Sequence, residues 1–149
     1  MKKLHLILIM LVFAFMAQAQ TIEQVYHFGQ PTVSERDGYQ QIGLQGCLPY
    51  GTVGEPTLPW QSVSLILPQG QEAVSINVEF ADFVELEGSF NLYPYQQPRP
   101  YSNEKEIPFA KKEGLYRSET TYPTTSYGRV NTQYLNGVSV AFGSFTPLR

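Results

Sequence analysis

Polar and apolar residues alternate with a period of two along much of this chain. Residues 74–80 read Val-Ser-Ile-Asn-Val-Glu-Phe, with Val74, Ile76, Val78 and Phe80 in one phase and Ser75, Asn77 and Glu79 in the other. Successive strand side chains point to opposite faces, so the pattern predicts a strand with one buried face. The phase breaks at Asp82 and resumes at Val84 and Leu86. Residues 72–88 are therefore expected to form either one bent strand, bulged near Ala81-Asp82, or two strands joined there.

Shorter strands are predicted over residues 22–28, 39–44, 62–67 and 138–142. In 62–67, Val63, Leu65 and Leu67 share one face, and Ser62, Ser64 and Ile66 share the other. In the last strand Val138, Val140 and Phe142 alternate with Ser139 and Ala141, behind the tight-turn dipeptide Asn136-Gly137. Residues 93–108 hold four prolines and three tyrosines. Proline lacks a ladder donor, so this segment is expected as an extended connection over the sheet surface rather than a central strand. Short strands, Gly/Pro turns and scarce helix signals predict an all-β fold, an antiparallel β-sandwich of jelly-roll-like form. The chain stops at SFTPLR, directly after a strand, which suggests a domain incomplete at its C-terminus.

The N-terminus departs from this pattern. Lys2 and Lys3 precede an apolar run, Leu4 to Met16, and Ala17-Gln18-Ala19 forms a small-x-small cleavage site. Residues 1–19 are predicted to be a secretory signal peptide, leaving a mature chain of residues 20–149 at the cell surface, in the periplasm or outside the cell. No later run is long enough to span a bilayer, so no membrane partner is expected for the mature form.

Charge narrows the function further. The chain has 10 basic and 13 acidic residues. Without Lys2 and Lys3 the basic residues fall to 8 and the formal charge to −5. There is no basic cluster, so nucleic acid is not an expected partner. Cys47 is the only cysteine, which leaves no internal disulfide. Cys47 and His27 are the mature chain's one thiol and one imidazole. They are too few for a zinc site, and His27 lies in a predicted strand rather than a catalytic setting. Neither a cofactor nor a metal is expected, nor catalysis by this region itself.

The stretch GEPTLPWQSVSLILP, residues 54–68, carries a further signal. Two prolines bracket Thr57-Leu58, hold the preceding residues extended and lead rigidly into an apolar strand closed by Pro68. Then come the alternating strand 74–80, a Pro- and Tyr-rich connection, YRSETTYPTTSYGRV over 116–130, and a Gly-started strand ending in proline, GVSVAFGSFTPLR. This order resembles the N-terminal propeptide of gingipain-type cysteine peptidases, over roughly residues 22–149. The resemblance implies a non-catalytic β-sandwich prodomain that assists folding of a cysteine peptidase catalytic domain, downstream in cis, and covers its cleft until cleavage. It further implies a Bacteroidetes-type secreted protein.

A prodomain that blocks a cleft must present a substrate-like side chain from a rigid segment. Residues 126–137, SYGRVNTQYLNG, are the best placed, with Arg129, Tyr134, Asn136 and Gly137 as candidate peptidase contacts. A basic residue near the turn is expected beside an arginine-specific peptidase. Here Asn136 precedes Gly137 and the nearest base is Arg129, which leaves the specificity open. The rival reading is a secreted binding or adhesion module, with Tyr93, Tyr95 and Tyr101 as an exposed aromatic platform for a glycan or a surface protein.

Overall fold

The computed structural model describes residues 20–100 and 106–149. Strands β1 (Thr32–Arg36) and β2 (Tyr39–Gly43) form an antiparallel hairpin. Its two-residue turn is Asp37-Gly38, with φ of 51° and 78°. Both turn residues need the left-handed region, which Asp tolerates and Gly adopts freely. Strands β3 (Leu48–Tyr50), β4 (Leu58–Ile66), β5 (Asn131–Leu135) and β6 (Val138–Phe145) form a second antiparallel sheet in the order β3-β4-β6-β5. A single helical turn, α1 (Glu113–Tyr116), lies in the long connection between β4 and β5. The architecture is the all-β antiparallel sandwich that the alternation implied.

Residues 91–95 join the two sheets. On one side Gln40 N–H donates to Asn91 O at 2.9 Å, and Tyr93 N–H donates to Gln40 O at 2.8 Å. On the other, Thr57 N–H donates to Tyr93 O at 2.9 Å, and Tyr95 N–H donates to Glu55 O at 2.8 Å. Tyr93 and Pro94 are buried. The start of the proline-rich connection therefore lies between the sheets, not over their surface. Further on, the Gln96 side-chain amide accepts from Ala110 N–H at 2.9 Å and donates to Ala110 O at 2.8 Å, so one side chain closes the intervening loop.

Two apolar clusters hold the layers. On the inner face of the larger sheet, Leu65 lies opposite Ala141 and Val63 opposite Gly143. Phe145 is buried there, its ring 5.2 Å from Tyr26 and 5.9 Å from Phe28. The second cluster sits under the hairpin. Tyr93 meets Tyr39 at 5.9 Å and Phe109 at 6.1 Å, and the Arg36 guanidinium stacks 4.5 Å from the Tyr93 ring. Aromatic pairs in edge-to-face geometry add stability beyond the area they bury.

Two predicted strands are absent. Residues 22–28 pack Tyr26 and Phe28 onto Phe145 but pair with no strand. Residues 72–88 also form no strand, although the alternation survives as burial. Ile76, Val78 and Phe80 turn inward, whereas Val74 is 93% exposed. Period-two patterning encodes which side faces the core; a ladder also needs a neighbouring backbone, and the contacts found here are side-chain ones. Ala73 N–H donates to Thr132 Oγ1 at 2.9 Å, and Tyr134 donates to Glu72 Oε1 at 2.9 Å. Arg149 stacks on Phe83 at 4.4 Å. Among the described residues, no helix is long and apolar enough to cross a membrane.

Candidate functional site: the approach to the last hairpin

Residues 126–128 run beside the end of β6. Gly128 N–H donates to Ser144 O, and Thr146 N–H donates to Ser126 O, both at 2.8 Å. Tyr127 bridges Phe145, and Asn131 bridges Phe142. Four steps along the first strand thus face three along the second, so one extra residue is inserted between Tyr127 and Asn131. That is a β-bulge, a device that re-aims a side chain. A Cβ on Gly128 would stand 2.8 Å from Ser144 Oγ, which explains the glycine at this close approach.

Arg129 occupies the bulge and is exposed. Among the described residues its side chain forms no ion pair or hydrogen bond. Its position is nonetheless set by hydrogen-bonded backbone on both sides.

Asn136 and Gly137 form the two-residue turn between Leu135 and Val138, with φ of 50° and 82°. Tyr134 is exposed on β5, and donating its hydroxyl to Glu72 raises its pKa. These three residues gather at one end of β5, and Arg129 stands at the other. Arg129 and Asn136 are seven positions apart, a span of roughly 23 Å at about 3.3 Å per residue. The structure therefore divides the four candidate contacts into two places.

The aromatic platform does not form as expected. Tyr93 is 7% exposed and belongs to the core under the hairpin. Tyr95 is half-buried, 5.5 Å from Tyr50. Tyr101 lies outside the described residues. The segment's alternation of proline and tyrosine does not reveal that it runs between two sheets.

Beside these residues lies a polar clasp that sequence reasoning missed. Lys112 Nζ meets Glu55 Oε1 at 2.7 Å, and Tyr122 donates to Glu55 Oε2 at 3.3 Å and to Pro56 O at 3.1 Å. Burial, then the Glu55 carboxylate, pushes the Tyr122 pKa up to about 12. Tyr116 donates to Leu92 O at 2.8 Å and is also raised, first by burial. These partners are distant in sequence, and no local motif announces them.

His27 is exposed, and Cys47 is half-buried in a turn, its Sγ 4.0 Å from Gln61 Oε1. Burial pushes the Cys47 thiol up, away from the thiolate a nucleophile requires. Among the described residues no three His, Cys, Asp or Glu side chains converge on one point.

The sandwich fold and the bulged approach to its last hairpin belong to a propeptide domain of the kind that precedes a cysteine peptidase. The family model described as Propeptide_C25 matches residues 17–149, and the chain belongs to that family, the N-terminal propeptides of gingipain-type peptidases. A solved structure described as giving structural insight into the zymogenic latency of gingipain K from Porphyromonas gingivalis shares the fold. Its TM-score is 0.61 at 22% identity, over 78% of this chain and 68% of that one. No curated protein matches the chain.

Proposed function

We propose that this chain is the secreted, non-catalytic prodomain of a gingipain-type cysteine peptidase, which assists the folding of that peptidase in cis and keeps it latent. The signal sequence at residues 1–19 directs export from a Bacteroidetes-type cell. Arg129 is the residue that faces the catalytic cleft, and Tyr134, Asn136 and Gly137 flank the contact at the other end of β5.

The observation that carries this reading is the placement of Arg129. A cleft-blocking side chain has to be exposed, without a partner in its own domain, and held by backbone that resists being drawn into a cleavable geometry. Among the described residues Arg129 is exposed, forms no ion pair or hydrogen bond and is flanked by hydrogen-bonded backbone, and family membership supports a peptidase partner. The binding-module reading loses its central residue with the burial of Tyr93.

The test is inhibition of the peptidase domain encoded in the same reading frame. The added chain should slow peptide hydrolysis, and Arg129→Ala should weaken inhibition at least about tenfold, or 1.4 kcal/mol, without moving the melting temperature. An unaffected peptidase, or equal inhibition by Arg129→Ala, would overturn the assignment.

A further inference from the structure

Strand β6 turns its larger aliphatic residues away from the core. Ser139, Ala141 and Phe145 are buried, and Gly143 faces the same way, with Ile76 over it. Val138, Val140 and Phe142 lie in the opposite phase, on the outer face of the sheet. Directly opposite residues of neighbouring strands share a face. Ile66 of β4 lies opposite Val140, and Leu135 of β5 lies opposite Val138. Ile66 is 75% exposed, Leu135 51% and Val138 43%. Strands β4, β5 and β6 contain no charged residue. The outer face therefore carries a continuous, uncharged apolar patch, the kind of surface that marks a contact with another protein.

The patch runs from one group of candidate contacts to the other. At one end Leu135 and Val138 flank the Asn136-Gly137 turn. At the other, Phe142 lies opposite Asn131, two positions past Arg129. Ser144 is next on the same face, and its hydroxyl stands 2.8 Å from where a Cβ on Gly128 would be. Arg129 thus borders the face. A body that covers both Arg129 and the turn must also cover the patch between them.

We propose that the outer face of β4, β5 and β6 docks on the peptidase domain encoded in the same reading frame, against an uncharged apolar surface of that domain. This rests on the reading of the chain as a peptidase prodomain. Burial of the patch supplies affinity, and Arg129 at its border enters the cleft. Tethering in cis raises the effective concentration, so a patch of modest size suffices.

The test is the affinity of the full folded chain for the peptidase domain with its catalytic cysteine replaced by alanine. Ile66→Glu and Val138→Glu each set a carboxylate against an apolar partner surface, which costs binding strongly. Each should weaken affinity at least about tenfold without moving the melting temperature, and Val138→Glu serves if Ile66→Glu does not fold. Ser34→Glu, exposed on β1 of the other sheet, should bind as the unaltered chain does. In the Arg129→Ala chain, the residual affinity should be nearly the same at about 0.1 M and about 1 M salt, because screening acts on charges. Unchanged binding by the folded glutamate variants would overturn the docking face, even where Arg129→Ala weakens binding and the cleft contact stands. Loss in the glutamate variants with none in Arg129→Ala would support the face and remove Arg129 as the cleft residue. No binding by the unaltered chain would overturn both. A dimer of the chain alone that Ile66→Glu dissociates would assign the face to a second copy and overturn the proposal.

Discussion

Pro56 lies directly opposite Pro94, in an antiparallel bridge between the lead-in to β4 and the segment that joins the sheets. The flanking hydrogen bonds, Thr57 to Tyr93 and Tyr95 to Glu55, make this a non-hydrogen-bonded pair. No N–H is needed at such a site, so two prolines fit without losing a ladder bond. Pro49 faces Pro59 in the β3–β4 register in the same manner. The prolines of the GEPTLP stretch thus sit where the ladder has no use for a donor, and they stiffen the lead-in to the longest strand.

Pro94→Ala should therefore destabilise the fold. The Pro94 ring is fully buried, and the alanine would bring a new N–H to a site with no acceptor in register. The expected loss is about 1–3 kcal/mol, measured by urea unfolding. Pro68, which is exposed, is the control, and its replacement by alanine should stay within about 0.5 kcal/mol. Equal effects of the two substitutions would contradict the pairing argument.

Gly54 should be harder to replace than Gly70. Both have positive φ, 84° and 75°. A Cβ at Gly70 meets open space, whereas one at Gly54 would stand 3.3 Å from the Lys112 backbone N and Cγ. Gly54 also donates to Tyr95 O and accepts from Lys112 N–H, both at 2.8 Å. Left-handed backbone alone costs about 1–2 kcal/mol in each alanine variant, and crowding adds to it only at Gly54. Thermal unfolding of the two variants side by side measures that added cost.

The clasp at Glu55 predicts a loss of stability in alkali. Tyr122 rises from an ordinary 10.0 to about 12 on folding. A raised pKa means that the folded state keeps a proton the unfolded state releases. Its contribution is complete below about pH 10 and is lost as pH climbs through about 12. Tyr122→Phe should flatten the decline of stability with pH over that window. It should also lower stability at neutral pH by about 1 kcal/mol, from the lost hydrogen bonds. An unchanged alkaline profile in the phenylalanine variant would remove Tyr122 as the cause.

Residues 74–90 should exchange amide hydrogens early. Among the described residues no backbone–backbone hydrogen bond engages this segment, whereas residues 139–145 lie in β6 between β4 and β5. Exchange in the former should be at least about a hundredfold faster, measured by mass spectrometry of the folded chain. Matching protection in the two segments would mean that 74–90 has a ladder partner after all.

Much of the fold was legible because its signals are local. The segments 39–44, 62–67 and 138–142 correspond to β2, β4 and β6, but in β6 the buried face is Ser139, Ala141 and Phe145 rather than the expected Val138, Val140 and Phe142. Strand β1 was also marked, by Asp37-Gly38, the same kind of turn dipeptide as Asn136-Gly137, and that signal would have found the hairpin. Strand β3 has three residues with a central proline and no pattern of its own. For the candidate site, the residues of 126–137 were readable, but the bulge at Arg129 was not. It follows from comparing two registers, Tyr127 with Phe145 and Asn131 with Phe142.

The sequence by itself determined the β class, the turn positions and the inward phase of residues 76–80, because alternation and turn preference depend only on neighbours along the chain. Tertiary structure decided which segments found ladders, that Tyr93 is core rather than surface, and that Arg129 and Asn136 stand at opposite ends of β5. Those outcomes depend on which distant backbones meet: Gln40 with Tyr93, Glu55 with Tyr122, Gly128 with Ser144.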